Sequence, residues 1–280
     1  MARKKKIKTV IYHGFILFLG FIMIYPLLWM VMSSFKETNT IFRTVRNLIP
    51  EHFTLENYWN GWKGFGGVSF STFFKNSMTV TVLATVGAVF SSAIVGYGFA
   101  RCNFRMGKPL FVCMLLSMML PYQIVMVPQY ILFQKMGWVG TYLPLIVPYF
   151  FGQGFFIFLI MQFIQGIPRE LDEAAKIDGC SYYSIFVRII LPLISPACVT
   201  SAIFSFMWRW DDFLGSLLYL NKPDNYTVSY ALKLFCDPSS TSDYGAMFAM
   251  AVLSVLPILT LFIMFQRYLV EGISMSGLKG

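Results

Sequence analysis

The sequence predicts an all-α membrane protein whose six helices cross the bilayer. Of the 280 residues, 57% are hydrophobic and only 12% are charged, whereas soluble domains carry about 25% charged residues. Six apolar runs are long enough to span a bilayer as helices, since a span takes about 20 residues. We place these runs near residues 12–33, 77–100, 109–132, 141–162, 190–210 and 245–266.

The first run follows a basic N-terminus that includes Arg3-Lys4-Lys5-Lys6. Secretory signal peptides also begin with basic residues, but no small-x-small cleavage pattern follows this run. The run is also about as long as a membrane span. We therefore expect residues 1–11 to be a basic cytoplasmic N-terminus and residues 12–280 to form one transmembrane domain.

Several of the predicted spans contain proline or glycine, which interrupt helices in soluble proteins. Neighbouring helices of a membrane bundle can satisfy the backbone groups that such residues leave free. These positions therefore predict kinks within continuous spans rather than loops. They are Pro121, Pro128, Pro144, Pro148, Gly152 and Gly154.

Lysines and arginines predict how the spans are oriented. The net charge is +9, and the N-terminus and the short segment Arg101–Lys108 are rich in basic residues, as is typical of cytoplasmic segments. This orientation places both termini and the polar loop 166–192 in the cytoplasm, and it leaves two large outer loops, 34–76 and 211–244. The excess of lysine and arginine thus indicates how the protein is oriented in the membrane. It predicts lipid, not nucleic acid, as a partner.

The first outer loop contains three clustered aromatic residues, Tyr58, Trp59 and Trp62. Tyrosine and tryptophan are enriched where membrane proteins meet the lipid headgroups. We favour this interfacial role for the cluster over contact with a partner protein, which remains the alternative.

The loop between the fourth and fifth spans has the punctuation of a short helix. Pro168 suits a first helical turn, and Glu170, Asp172 and Glu173 follow where the helix dipole favours negative charge. Ala174 and Ala175 are small enough for a close approach to another protein surface. Asp178-Gly179 predicts the end of the helix, because glycine tolerates the left-handed conformation of a C-terminal cap.

The sequence shows no arrangement of residues that is typical of a Ser/His/Asp site or a zinc centre. No phosphate-binding loop G-x-x-x-x-G-K-[ST] occurs, so any ATP would be bound by another chain. His13 and His52 lie near neither each other nor a cysteine pair, and the five cysteines show no C-x-x-C spacing. We therefore expect no catalytic residue, no metal site and no disulfide framework.

The predicted spans contain almost no ionisable residues, whereas ion-coupled transporters usually carry such groups inside the bundle. Neutral polar side chains such as Gln123, Gln153 and Ser92 are present instead, and aromatic residues surround Gln153. They could line a path for an uncharged, hydroxyl-rich solute. Hydrogen bonds between helices are the simpler interpretation, because polar residues in bundles commonly make them.

Residues 173–192 read E-A-A-x-x-x-G-x9-I-x-L-P, which resembles the signature loop of importer permeases of the ATP-binding-cassette (ABC) superfamily. Similarity to the smaller permease of carbohydrate importers, the maltose-type and multiple-sugar group, extends from about residue 14 to residue 280. It includes Tyr97-Gly98-Phe99-Ala100-Arg101 and Trp210-Asp211-Asp212-Phe213, in which Asp211 replaces the usual asparagine. The tail Gly277-Leu278-Lys279-Gly280 also resembles the family, whose tail usually reads Ala-Val-Lys-Gly.

This resemblance implies a type I ABC importer permease fold in the inner membrane of a bacterium or archaeon. It further implies a second homologous permease, two ATPase subunits that hold ATP and magnesium, and an extracytoplasmic solute-binding protein. The loop would dock on an ATPase subunit through its matching residues, namely Glu173, Ala174, Ala175, Asp178, Gly179, Leu191 and Pro192. The alternatives are an ion-coupled secondary transporter of a neutral solute and a membrane-anchored scaffold or enzyme.

Overall fold

The computed structural model describes residues 2–236 and 242–277. Part of the second predicted outer loop (237–241) and the tail residues 278–280 lie outside this range. Helices account for 75% of the structure. They are α1 (Ala2–Ser33), α2 (Glu56–Lys63), α3 (Phe70–Arg101), α4 (Gly107–Met119), α5 (Tyr122–Lys135), α6 (Leu143–Ile146), α7 (Gly154–Gly166), α8 (Glu170–Ile177), α9 (Tyr182–Ile185), α10 (Leu191–Leu193), α11 (Ser195–Trp210), α12 (Phe213–Tyr219), α13 (Val228–Leu234) and α14 (Tyr244–Gly277).

Within the described residues, four helical segments are each long and apolar enough to cross a membrane. They are Ile11–Ser33, Phe70–Arg101, Leu143–Gly166 and Tyr244–Tyr268. Two further candidates are pairs of helices with a sharp bend between them, which gives six spans if each pair counts as one. All six predicted apolar runs therefore correspond to helical segments, but three of the runs are not single regular helices.

The predicted span 109–132 is divided between α4 and α5, whose axes differ by 102°. The break falls at Leu120 and Pro121, and both residues have extended ψ angles, 119° and 136°. A proline disfavours helical conformation in the residue before it and cannot donate a backbone hydrogen bond. Pro121 thus breaks the helix rather than kinking it, whereas Pro128 lies inside α5.

The predicted span 141–162 is also interrupted. After α6, residues Val147–Phe151 form a 3₁₀ helix that contains Pro148, and Gly152 follows with a φ of +86°. A left-handed residue cannot continue a right-handed helix, so the regular helix resumes only at Gly154, the first residue of α7. Leu143–Gly166 is still one candidate span, so the interruption at Gly152 lies within a continuous span and Pro148 stays helical.

The fifth predicted span begins earlier than residue 190. Helical structure starts at Tyr182 and passes through a π-helical turn at Phe186–Ile190 before α10. A bend of 73° separates Tyr182–Leu193 from α11. The predicted loop 166–192 is consequently shorter in the structure, and its C-terminal part is helical.

Residue contacts divide the chain into two units, Met1–Ser71 with Ala231–Leu256 and Thr72–Tyr230 with Pro257–Gly280. In the first unit, buried Lys36 organises the outer loop, because its Nζ donates to the carbonyls of Thr44 (3.0 Å) and Asn47 (2.5 Å). Desolvation lowers the pKa of Lys36, although nearby Glu51 acts in the opposite direction.

The second unit contains an apolar cluster that includes residues of the predicted loop. Side chains from the ends of α3 and α7 pack there against the segment that contains α8, α9 and α10. Its buried members include Ala100, Ile164, Ala175, Ile185 and Ile190. This core holds the short helix α8 against the ends of two long helices.

Candidate functional site

α8 is the short helix that the sequence predicts in the polar loop. It begins at Glu170, and the carbonyl of Arg169 accepts hydrogen bonds from the amides of Asp172 (2.9 Å) and Glu173 (3.1 Å). The first turn carries the three predicted acidic residues, where the helix dipole favours them. Pro168 lies two residues before the helix and not in its first turn, which corrects the prediction.

The C-terminus of α8 has the hydrogen-bond pattern of a Schellman motif. The amide of Gly179 donates to the carbonyl of Lys176 (3.0 Å), and that of Cys180 donates to the carbonyl of Ala175 (2.9 Å). Gly179 has a φ of +78°, which confirms the predicted left-handed cap. Ala175 and Cys180 both belong to the apolar cluster, as the hydrophobic contact of this motif requires.

α8 presents different residues to the core and to its surroundings. Asp172 and Ala175 are its buried residues, and only 6% of Ala175 is exposed. Glu173, Ala174 and Ile177 are exposed, Ile177 to 87%. Ala175 therefore packs within this chain, and the exposed surface consists of the neighbouring side chains.

The remaining predicted loop residues are Asp178 at the end of α8 and Leu191 and Pro192 in α10. Asp178 is the exposed C-cap residue of α8. Leu191 packs against the same apolar cluster as Ala175, whereas Pro192 is exposed in α10. The structure thus joins Leu191 to α8 through the core and places Pro192 at the surface.

A buried ion pair that the sequence did not reveal connects α8 to α3. Arg101 Nε lies 2.8 Å from Asp172 Oδ2, and the two side chains are 5% and 9% exposed. Arg101 Nη2 also donates to the carbonyl of Ile167 at 2.6 Å. Among the described residues, Arg101 Nε and Asp172 Oδ1 have no hydrogen-bond partner, so the pair is an ionic contact without good hydrogen-bond geometry.

Sequence reasoning assigned Asp172 only to the helix dipole and Arg101 only to topology and family resemblance. The spacing of Tyr97 and Arg101 was an available signal, because residues four apart share one face of a helix. Tyr97 OH donates to the carbonyl of Tyr182 at 3.2 Å, so this face does contact the loop. What the sequence could not supply was the position of α8 opposite that face.

The predicted solute-path residues do not form one cluster of contacts. Buried Ser92 accepts a hydrogen bond from the amide of Gln153 (3.1 Å), and Ser91 accepts one from Gly152 (3.0 Å). These hydroxyls satisfy backbone amides at the break before α7, as the simpler interpretation expects. Gln123 is exposed and, within the described residues, is not hydrogen-bonded to Ser92 or Gln153.

The segment 210–213, which carries part of the family resemblance, contributes Asp212 to an ionic cluster at the end of α11. Arg209 Nη1 lies 3.3 Å from Asp212 Oδ2 and donates to the hydroxyl of Tyr149. Asp212 is also the N-cap of α12, since its Oδ1 accepts from the amide of Gly215 at 2.9 Å. These contacts fix the start of α12 beside the turn that precedes α7.

A family model matches most of the chain. Residues 88–275 match the model of the family described as binding-protein-dependent transport system inner membrane component. This stretch contains α8, its cap, and both Arg101 and Asp172.

Similar chains cover almost the whole length. The chain is 38% identical to a probable ABC transporter permease protein, YurM, of Bacillus subtilis, over 91% of this chain and 84% of that protein. It is 33% identical to the arabinooligosaccharides transport system permease protein AraQ of Halalkalibacterium halodurans, over 94% of both. It is 29% identical to the trehalose/maltose transport system permease protein MalG of Thermococcus litoralis, over 99% of both.

A solved structure shares the fold. With a TM-score of 0.82, the chain matches a crystal structure of a bacterial ABC transporter involved in the import of the acidic polysaccharide alginate. The match covers 95% of this chain and 98% of that one, at 18% sequence identity. This similarity establishes the architecture alone.

Proposed function

Because the chain belongs to the family of binding-protein-dependent transport system inner membrane components, we propose that it is a permease subunit of an ATP-driven sugar or oligosaccharide importer. The match over residues 88–275 is the observation that carries this proposal. Relatives named for arabinooligosaccharide and trehalose/maltose transport support the sugar class. The chain is thus a non-catalytic transmembrane component of the inner membrane.

The transported solute would reach this subunit from an extracytoplasmic binding protein, and ATP would be hydrolysed elsewhere. The sequence has no phosphate-binding loop, so ATP and magnesium belong to two partner ATPase subunits in this proposal. A second homologous permease would complete the membrane-spanning part. The basic N-terminus and the Arg101–Lys108 segment support an orientation with both termini and α8 in the cytoplasm.

α8 would dock on an ATPase subunit through its exposed surface. Glu173 can form polar contacts, Ala174 allows close approach, and Ile177 offers an apolar side chain that is 87% exposed. Ala175 and Gly179 would act indirectly, because they shape the helix and its cap. ATP-driven closure of the ATPase subunits would move α8 and alternate the bundle between two states.

The solute path is proposed to include Gln153 and Gln123, whose amide groups suit the hydroxyl groups of a sugar. Ser92 would support the path by holding the backbone at Gln153 (3.1 Å). Irregular backbone at membrane depth is tolerated where it is buried or lines a cavity, which favours a position for Gln153 near the passage.

Purification of the tagged chain from its native membrane tests the proposal. Mass spectrometry should find a second permease and an ATPase subunit with a phosphate-binding loop. A ligand screen on the binding protein encoded beside the chain should then identify a sugar or oligosaccharide. A chain that purifies alone and accumulates solute in vesicles through an ion gradient would instead be a secondary transporter.

A further inference from the structure

We propose that α3 transmits the movement of α8 to the opposite end of the bundle, and that the ion pair of Arg101 with Asp172 is the attachment through which it does so. This inference rests on the proposed function, because α8 must be driven by an ATPase subunit. It assigns to Arg101, Asp172 and Asn76 positioning roles that are distinct from docking.

The first argument is that the C-terminal end of α3 holds the α8 segment at several points. Arg101 contacts the segment that precedes α8 through the carbonyl of Ile167 (2.6 Å) and α8 itself through Asp172 (2.8 Å). Tyr97, one turn earlier on the same face, donates to the carbonyl of Tyr182 (3.2 Å) after α8. A displacement of α8 must therefore either move the end of α3 or break these contacts.

Within α8 itself, few side chains are buried. It is an eight-residue helix whose buried residues are Asp172 and Ala175. Ala175 supplies only a methyl group to the apolar cluster, so the ionic contact is the directional attachment of the helix. Because the attraction draws the two charged groups together, α8 can pull on the end of α3 when it moves away.

The second argument is that the other end of α3 is attached as firmly. Buried Asn76 donates through Nδ2 to the carbonyls of Asp224 (2.7 Å) and Tyr226 (3.0 Å). The hydroxyl of Ser77 accepts from the amide of Val228 at 2.7 Å. These contacts fix α3 to the segment that follows α12.

One continuous helix joins the two attachments. From Asn76 to Arg101 the axis extends about 37 Å at 1.5 Å per residue, which is more than the thickness of the hydrocarbon core. Unlike the paths through α4–α5 and α6–α7, α3 has no break between these residues. A continuous helix carries a displacement along its axis better than segments joined by a bend.

Stability alone is a weak explanation of the pair. A buried ion pair loses the hydration of both charges, so it often contributes no more than apolar residues of the same size would. Arg101 Nε and Asp172 Oδ1 also lack hydrogen-bond partners among the described residues. Buried polar atoms without hydrogen-bond partners call for an explanation, and a positioning role supplies one.

The test uses the complete importer reconstituted in vesicles, with the variant Asp224→Cys as a reporter. A membrane-impermeant maleimide should label this cysteine at a rate that changes when ATP is supplied to the ATPase side. The parental chain, with its five native cysteines, gives the background. The chosen change is Arg101→Met with Asp172→Leu, because it removes the pair without leaving one buried charge alone.

We expect the double variant to keep ATP hydrolysis but to lose the ATP-dependent change in labelling. Uptake per ATP hydrolysed should fall by about tenfold, the range of an ordinary coupling free energy. Arg105→Met is the matched control, since it removes an exposed basic side chain from the adjacent loop. Arg105→Met should behave like the parental protein in both measurements.

Asn76→Ala provides an independent variant, because Asn76 is remote from α8 and its loss cannot disturb docking. It should also abolish the labelling response. If the double variant fails to assemble, Asn76→Ala alone tests whether α3 transmits the movement. A normal labelling response and normal uptake per ATP in either variant would overturn the role of α3. If the parental complex itself shows no ATP-dependent uptake, the proposed function fails instead.

Discussion

The amide of Cys180 donates a hydrogen bond to the carbonyl of Ala175 across 2.9 Å, and Gly179 lies in the left-handed conformation between them. This contact explains the spacing of alanine and glycine in the loop. Ala175 supplies the small buried side chain at the third residue from the end of α8. Gly179 supplies the only backbone conformation that lets the chain turn back toward it.

We predict that Gly179→Val disrupts this cap and uncouples ATP hydrolysis from uptake. No atom lies within 4 Å of a Cβ at this position, so the cost comes from the backbone conformation itself. Alanine should cost roughly 1–2 kcal/mol there and valine more, whereas asparagine should cost less. Uptake and ATPase rate in the reconstituted complex measure the effect.

Gly166→Ala is the matched control for this series, because Gly166 ends α7, has room for a Cβ and has no left-handed conformation. It should leave both rates unchanged. Equal uptake by Gly179→Val and Gly166→Ala would show that the cap is not needed for coupling.

Arginine at Ala174 and at Ala175 should have different consequences. Ala175 is buried, so Ala175→Arg should lower the free energy of unfolding by more than the roughly 1–3 kcal/mol of ordinary overpacking. The yield of folded chain should fall with it. Ala174 is exposed, so Ala174→Arg should fold normally and release the ATPase subunits. Thermal stability in detergent and co-purification separate the two effects; loss of partners without loss of stability in Ala175→Arg would contradict the assignment.

Ser92 and Gln153 should also be separable by mutation. Ser92→Ala leaves the amide of Gln153 without its acceptor and should reduce stability by about 1–3 kcal/mol while the KM for solute stays constant. Gln153→Leu should raise the KM with little change in thermal stability. Uptake kinetics together with thermal unfolding check both variants, and an altered KM in Ser92→Ala would place its hydroxyl on the path.

The proposed orientation predicts opposite accessibility for two exposed positions. A cysteine in place of Ile177 should react with an impermeant maleimide only from the cytoplasmic side, and one in place of Asp224 only from outside. Labelling of the parental chain gives the background from its five native cysteines. The reverse pattern would place α8 on the wrong side of the membrane for an ATPase subunit.

The sequence predicted the helical class, the location of the apolar runs and the cap at Gly179, since these depend on hydrophobicity and on local conformation. It did not predict the division at Leu120–Pro121, because a proline in a membrane helix is compatible with either a kink or a break. In the same apolar run, Pro128 lies inside α5 and does not end the helix.

The sequence also could not distinguish the two alanines of the loop. Ala174 and Ala175 are chemically identical, and only the packing of α8 against the ends of α3 and α7 makes one of them buried. The Arg101–Asp172 pair was hidden for the same reason, because its residues are far apart in sequence and become neighbours only through that packing.

The most direct test of the importer assignment is solute uptake by vesicles that contain the purified complex. With the binding protein and its sugar outside and ATP inside, the account predicts accumulation that requires both the binding protein and ATP hydrolysis. Ala174→Arg should abolish this uptake. Accumulation that follows an ion gradient, continues without ATP and survives Ala174→Arg would contradict the account.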